Sequence, residues 1–135
     1  MSRAFTPELW QGLISASPTR LRITGDSMEP TLRTGETIEL APPPALPLPG
    51  DILVYQRNDQ LVVHRYLGFG HFQGDNSATP DARVPAEAIV GMATAVFRGN
   101  KSHKIPRRFS PRACIRLFSL QVRRVVAGLR NCRKG

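Results

Sequence analysis

The sequence predicts a mainly β protein, a small twisted, barrel-like sheet flanked by a short N-terminal helix and a C-terminal amphipathic helix. Three observations carry this expectation. Up to residue 97 the apolar residues come in short runs, several alternating with polar ones, as half-buried strands require. The 12 prolines and 11 glycines interrupt the chain too often for long helices. After Pro111 the period changes, and Ile115, Phe118, Val122, Val125, Val126 and Leu129 fall on one helical stripe beside Arg112, Arg116, Arg123 and Arg130.

Each element follows from local chemistry. Residues 7–15 form a short helix, because Thr6 can cap it and Pro7 suits a first helical position. Residues 21–24 and 37–40 alternate and read as strands. The proline-rich stretch from Ala41 to Gly50 cannot enter a sheet interior and is a stiff, exposed connection. Residues 51–56 and 60–67 make a hairpin through Arg57-Asn58-Asp59, and residues 69–73 pair next. On the second hairpin strand Val62, His64 and Tyr66 share one face, while Val63, Arg65 and Leu67 share the other. Residues 74–80 are a loop by composition. Residues 88–97 are an apolar strand in which Gly91 and Ala93 allow close backbone approach.

At 135 residues the chain has the size of one domain, read as a β-domain over 1–97, a basic linker over 98–110 and a basic helix over 111–135. Charge divides it in the same way. Residues 98–135 hold 12 of the 19 Lys and Arg and no acid, which leaves the β-domain mildly acidic. Cys114 and Cys132 sit on one predicted helix, roughly 27 Å apart at about 1.5 Å per residue, beyond disulfide reach, and are expected to be reduced. No cysteine–histidine spacing suits zinc, and neither metal nor cofactor is expected. No apolar run is long enough to span a bilayer and no secretory leader is evident, so a cytoplasmic protein is expected, with peripheral attachment through the basic helix as an option.

The residues with chemistry are a serine, a histidine and two aspartates. Ser27 stands in a glycine-led turn, Gly25-Asp26-Ser27-Met28, His64 on an alternating strand, and Asp75 and Asp81 in and after the loop. A serine hydroxyl attacks well only when a base takes its proton, and histidine, with a reference pKa of about 6.5, suits that task. A carboxylate on the other ring nitrogen holds the tautomer. Backbone N–H groups around Gly25, Asp26 and Met28 are the candidate oxyanion and substrate contacts. Taken singly, each member is more often a turn residue, a core histidine or a loop cap.

Five blocks in order change that balance. Gly25 to Leu32 (GDSMEPTL), Pro49 to Tyr55 (PGDILVY), Val63-His64-Arg65, Gly74-Asp75-Asn76 and Ile89-Val90-Gly91 resemble type I signal peptidases and their relatives over roughly residues 20–97. The resemblance implies that family's β-fold, shared with the self-cleavage domains of SOS repressors, and a serine endopeptidase acting on leader or signal peptides. Bacterial members use a lysine base, whereas the archaeal and endoplasmic-reticulum branch uses histidine. Here the lysines are Lys101, Lys104 and Lys134, and the matching position is His64, so the chain resembles the histidine branch. That branch implies Asp81 as the partner of His64 and Asp75 as the group that fixes the loop.

The expected partner is a peptide or preprotein with small residues before the cut. An anionic membrane surface could engage the C-terminal helix. Nucleic acid is disfavoured, because aromatics are not interleaved with the arginines. The departure from the family is the N-terminal stretch, too short and polar before Arg20 to span a membrane. Two other classes remain in view: a self-cleaving regulator, opposed by the histidine at position 64, and a non-catalytic module for membrane or partner binding.

Overall fold

A computed structural model of the chain describes residues 6–107, 110–120 and 123. Helix α1 runs Pro7–Ala16, and Thr6 caps it by accepting the Leu9 N–H on its hydroxyl at 3.3 Å. Ile14 is its buried residue, and the helix lies against β6 and β2. Gly91 makes that approach feasible. A Cβ there would stand 3.0 Å from the Ala41 carbonyl oxygen and 3.2 Å from Ile14 Cδ1.

Among the described residues seven strands form one antiparallel sheet: β1 Thr19–Arg22, β2 Thr37–Ala41, β3 Ile52–Arg57, β4 Gln60–Gly68, β5 His71–Gln73, β6 Ile89–Arg98 and β7 Lys101–Lys104. The order is β1-β2-β6-β3-β4-β5, with β7 paired to β6. A single turn of 3-10 helix, Ala86–Ala88, leads into β6. The sheet stays open, which corrects the barrel-like expectation. The outer strands β1 and β5 have only four and three residues, and no ladder joins them.

Strand β3 is central because its apolar run serves both faces. Ile52 and Val54 enter one cluster with Ile14, Met28, Leu32 and Ile38, while Leu53 and Tyr55 enter another with Phe72, Val84 and Ile89. The β3–β4 hairpin closes between Arg57 and Gln60, with Asn58 at φ 53, a left-handed turn conformation that asparagine tolerates. The face assignment for β4 holds: Val62 and Tyr66 pack on the second cluster, and Val63 on the first.

The expected linker is largely built into the domain, a second correction. Strand β7 occupies its middle, and its all-exposed, lysine-bearing residues gave no alternation to read. Ile105 then packs on the first cluster. Arg107 pairs with buried Asp51 at 3.1 Å, and Arg98 reaches Glu36 at 2.5 Å. The first arginines of the basic segment are therefore counterions of the acidic body.

Residues 111–120 are helical, here α2. Ser110 starts the helix by donating its N–H to the Pro49 carbonyl at 2.8 Å and accepting the Ala113 N–H on Oγ at 3.3 Å. Ala113 is buried, and Leu117 comes within 3.1 Å of where a Cβ on Gly68 would lie. The helix therefore docks through Ala113 and Leu117, whereas Ile115 and Phe118 of the predicted stripe are 63 % and 70 % exposed. The expected continuation through Val122, Val125, Val126, Leu129 and Arg130, and Cys132, lie outside the described residues. Cys114 is a free, half-buried thiol. No helix among the described residues is long and apolar enough to cross a membrane.

Leu53 is fully buried on the strand that both clusters share. Leu53→Ala should lower unfolding free energy by about 3 kcal/mol through lost burial and a residual cavity. Urea denaturation would report this as a lower midpoint at constant slope.

Candidate active site

The serine turn is rooted in the core. After β1 the chain is held by Ile23 N–H to the Glu36 carbonyl at 2.8 Å and by Gly35 N–H to the Ile23 carbonyl at 2.9 Å. Gly25 then takes φ +81, a left-handed conformation that side chains resist. The turn closes through Glu29 N–H to Asp26 O at 3.1 Å and Leu32 N–H to Met28 O at 2.9 Å. Met28 and Leu32 are buried in the first cluster. Ser27 is left beside a cleft of about 550 Å³, bounded by Leu21 to Thr24 on one side and Gln60 to Val63 on the other.

His64 comes from the sheet. On β4 it sits opposite Leu53 of β3, so it shares a sheet face with Leu53 and Tyr55. Its Nε2 lies 3.0 Å from Ser27 Oγ, and its Nδ1 lies 2.5 Å from Asp81 Oδ2. Both the histidine and aspartate side chains are 11 % exposed. Asp81 is held by its own N–H, which donates to the carbonyl of buried Phe72 at 2.9 Å. Of the two aspartates, Asp81 is the one in contact with His64.

The same Asp81 oxygen accepts the Tyr55 hydroxyl at 2.5 Å. Burial pushes the Tyr55 phenol far above its usual range, and Asp81 adds to the rise, so the phenol is a donor throughout the physiological range. Burial also acts to raise Asp81. Hydrogen bonds from His64 and Tyr55, with smaller charge effects from His64 and Arg57, outweigh it and hold the carboxyl below the ordinary range. An ionised Asp81 accepts from Nδ1–H, which leaves Nε2 free to accept the Ser27 proton. Arg57 braces this corner, its guanidinium 5.3 Å from the Tyr55 ring centroid and donating to the Ala82 carbonyl at 3.1 Å.

Asp75 does a different job. Arg65 grips its carboxylate through two N–H groups, at 2.8 and 2.7 Å, and Thr31 donates to it at 2.6 Å. Burial works to raise its pKa, but Arg65 and Thr31 prevail and hold it below the usual value. Arg65 also donates to the Gly50 carbonyl at 2.9 Å. Asn76 completes the join between loop and serine turn, its N–H donating to Ser27 O at 2.8 Å and its amide to Asp26 O at 3.1 Å. The Asp75 N–H approaches Met28 Sδ at 3.4 Å.

Of the oxyanion candidates, Gly25 leaves open space, since a Cβ there would meet nothing within 4 Å. Asp26 contributes its carbonyl to the turn, and Met28 is structural, buried beneath it. Among the described residues no acceptor engages the Ser27 N–H, which is free to meet a developing oxyanion. Sequence reasoning gave no role to Tyr55, Thr31, Arg65 or Gly74. A tyrosine inside the apolar run of β3 was the available signal for the first, because a buried hydroxyl needs a partner. Gly74 is required by proximity: a Cβ there would stand 2.5 Å from Ser27 O, 2.6 Å from Ser77 Oγ and 3.0 Å from His64 Nε2.

Among the described residues no cluster of three or more His, Cys, Asp or Glu side chains is arranged to hold a metal ion. The assembled groups can move a proton from a hydroxyl to an imidazole whose positive charge a buried carboxylate stabilises. That is the chemistry of nucleophilic acyl transfer.

Gly74→Ala should reduce any Ser27-dependent turnover at least about a hundredfold, because Ser27 and His64 must separate to admit the methyl group. Single-turnover kinetics would measure the loss. Tyr55→Phe should shift acid unfolding. Asp81 has a depressed folded pKa, so its stabilisation is present above the ordinary value of 3.8 and is lost as pH falls through the lower folded value. Without the phenol that folded value rises toward the ordinary one, so the variant should be less stable at neutral pH and should lose less on acidification. Urea midpoints measured from about pH 7 to about pH 2 would show a lower starting midpoint and a smaller fall below about pH 4.

Comparison with protein-family models, with curated proteins and with solved structures finds no match to this chain.

Proposed function

We propose that the protein is a serine endopeptidase of the signal-peptidase kind, of the histidine-base branch, that cleaves leader or signal peptides. The observation that carries the reading is the hydrogen-bonded line from Ser27 through His64 to Asp81, at 3.0 and 2.5 Å. The motif blocks that resemble the family also meet: the serine turn, the histidine strand and the Gly74-Asp75-Asn76 loop form one bonded unit. The open antiparallel sheet is compatible with that family's fold and with the related repressor self-cleavage domains.

In this reading a substrate peptide lies as an added strand in the cleft between the end of β1 and the start of β4. Among the described residues β1 pairs only with β2, and the first residues of β4 pair only with β3, so each has backbone groups to offer. Ser27 Oγ attacks the scissile carbonyl carbon as its proton passes to His64 Nε2. The Ser27 N–H receives the oxyanion, and Asp81 stabilises the imidazolium. Collapse of the tetrahedral species breaks the C–N bond, and His64 returns the proton to the leaving amine. Water then enters by the same base and releases the acyl group from Ser27. The histidine at the base position separates this reading from a lysine-dependent self-cleaving regulator. A pure binding module would have no need of the aligned serine, histidine and aspartate.

Ser27→Ala and His64→Ala should each reduce cleavage of a leader-peptide panel by about four orders of magnitude or more. Mass spectrometry of the products would locate the cut, expected after small side chains, and circular dichroism should show an intact fold. Full activity in either variant would overturn the assignment.

A further inference from the structure

Helix α2 is apolar on two sides, and among the described residues only one of them is buried against the domain. Ala113 and Leu117 face the sheet, Ala113 buried and Leu117 against Gly68. At about 100° per residue, Ile115 and Phe118 project the other way, and they are 63 % and 70 % exposed. Arg112 and Arg123 are exposed on one flank of this outward stripe. Arg116, on the same flank, turns inward and acts electrostatically on Asp75. In sequence, residues 98–135 contain 12 Lys and Arg and no acid.

An occupant of this face must be apolar where it meets Ile115 and Phe118 and anionic where it meets the arginines. A second copy of the helix fails the charge condition, since it would bring like-charged flanks together. A nucleic acid satisfies the arginines but has no place for two large apolar side chains. A bilayer of anionic lipids satisfies both, because its headgroup phosphates lie directly above acyl chains. We propose that α2 seats this protein on an anionic membrane surface, with Ile115 and Phe118 entering the boundary between headgroups and chains and Arg112 and Arg123 meeting lipid phosphates.

The flank of α2 that carries the arginines lies beside the loop that carries Asp75. Ile115, Arg116, Leu120 and Arg123 border Gln73, Ala78 and Pro80 across a shallow cavity of about 210 Å³. The segment that α2 borders, Gln73 to Pro80, leads directly into Asp81, the partner of His64. The inference stands on this face alone and does not depend on peptidase activity.

Cosedimentation of the full chain with vesicles tests it. The expected result is strong binding to phosphatidylcholine vesicles containing phosphatidylglycerol, weak binding to phosphatidylcholine alone, and loss of binding as salt rises. Arg112→Gln and Arg123→Gln should each weaken it roughly fivefold. Ile115→Ser with Phe118→Ser should weaken it at least about tenfold, with an unchanged circular dichroism spectrum because both side chains are exposed. If that double variant unfolds, the arginine variants and the salt titration decide. Equal binding to neutral vesicles, no binding to anionic ones, or full displacement from vesicles by duplex DNA would overturn the proposal.

Discussion

The arrangement turns on one buried oxygen, Oδ2 of Asp81, which receives both the His64 ring and the Tyr55 hydroxyl. A carboxylate at 11 % exposure has lost most of its water, and burial alone would favour its neutral form. Two donors reverse that preference, and the resulting charge orients the imidazole toward Ser27. The antiparallel register makes this convergence feasible. Leu53 opposite His64 places Tyr55 one step along the same face of the neighbouring strand, so both donors reach over the sheet to the same loop.

The two aspartates of that loop show how environment divides labour between chemically identical groups. Asp81 meets an imidazole and a phenol at the edge of the second cluster, while Asp75, six residues earlier, meets the guanidinium of Arg65 and the hydroxyl of Thr31. The first arrangement can share a proton with a reacting group. The second is a fixed ion pair whose work is mechanical: it ties β4, the serine turn and the loop together. Gly74 and Asn76 finish the join, one by lacking a side chain and the other by bonding two carbonyls of the serine turn.

Charge segregation along the chain has two outcomes in space. Arg98 and Arg107 return to neutralise Glu36 and Asp51, so the start of the basic segment is part of the domain's electrostatic balance. Further on, Arg112 and Arg123 remain exposed on α2 beside Ile115 and Phe118. The same composition therefore serves internal pairing first and an outward-facing surface afterwards.

Local patterns were enough to read α1, the hairpin of β3 and β4, the faces of β4, the serine turn, and Ser27, His64, Asp75 and Asp81 as candidates. Capping, alternation and turn chemistry act over a few residues and leave their marks in order along the chain. Strand β7 left none, because an exposed edge strand of polar residues has no period to detect. The docking face of α2 was hidden for a related reason: its larger apolar stripe faces out, and the contact is made by the small Ala113 and by Leu117. The open sheet and the roles of Tyr55 and Gly74 were decided only by tertiary structure. Each depends on the distance between residues far apart in sequence, and that distance is set by strand register and loop packing, which no local propensity encodes.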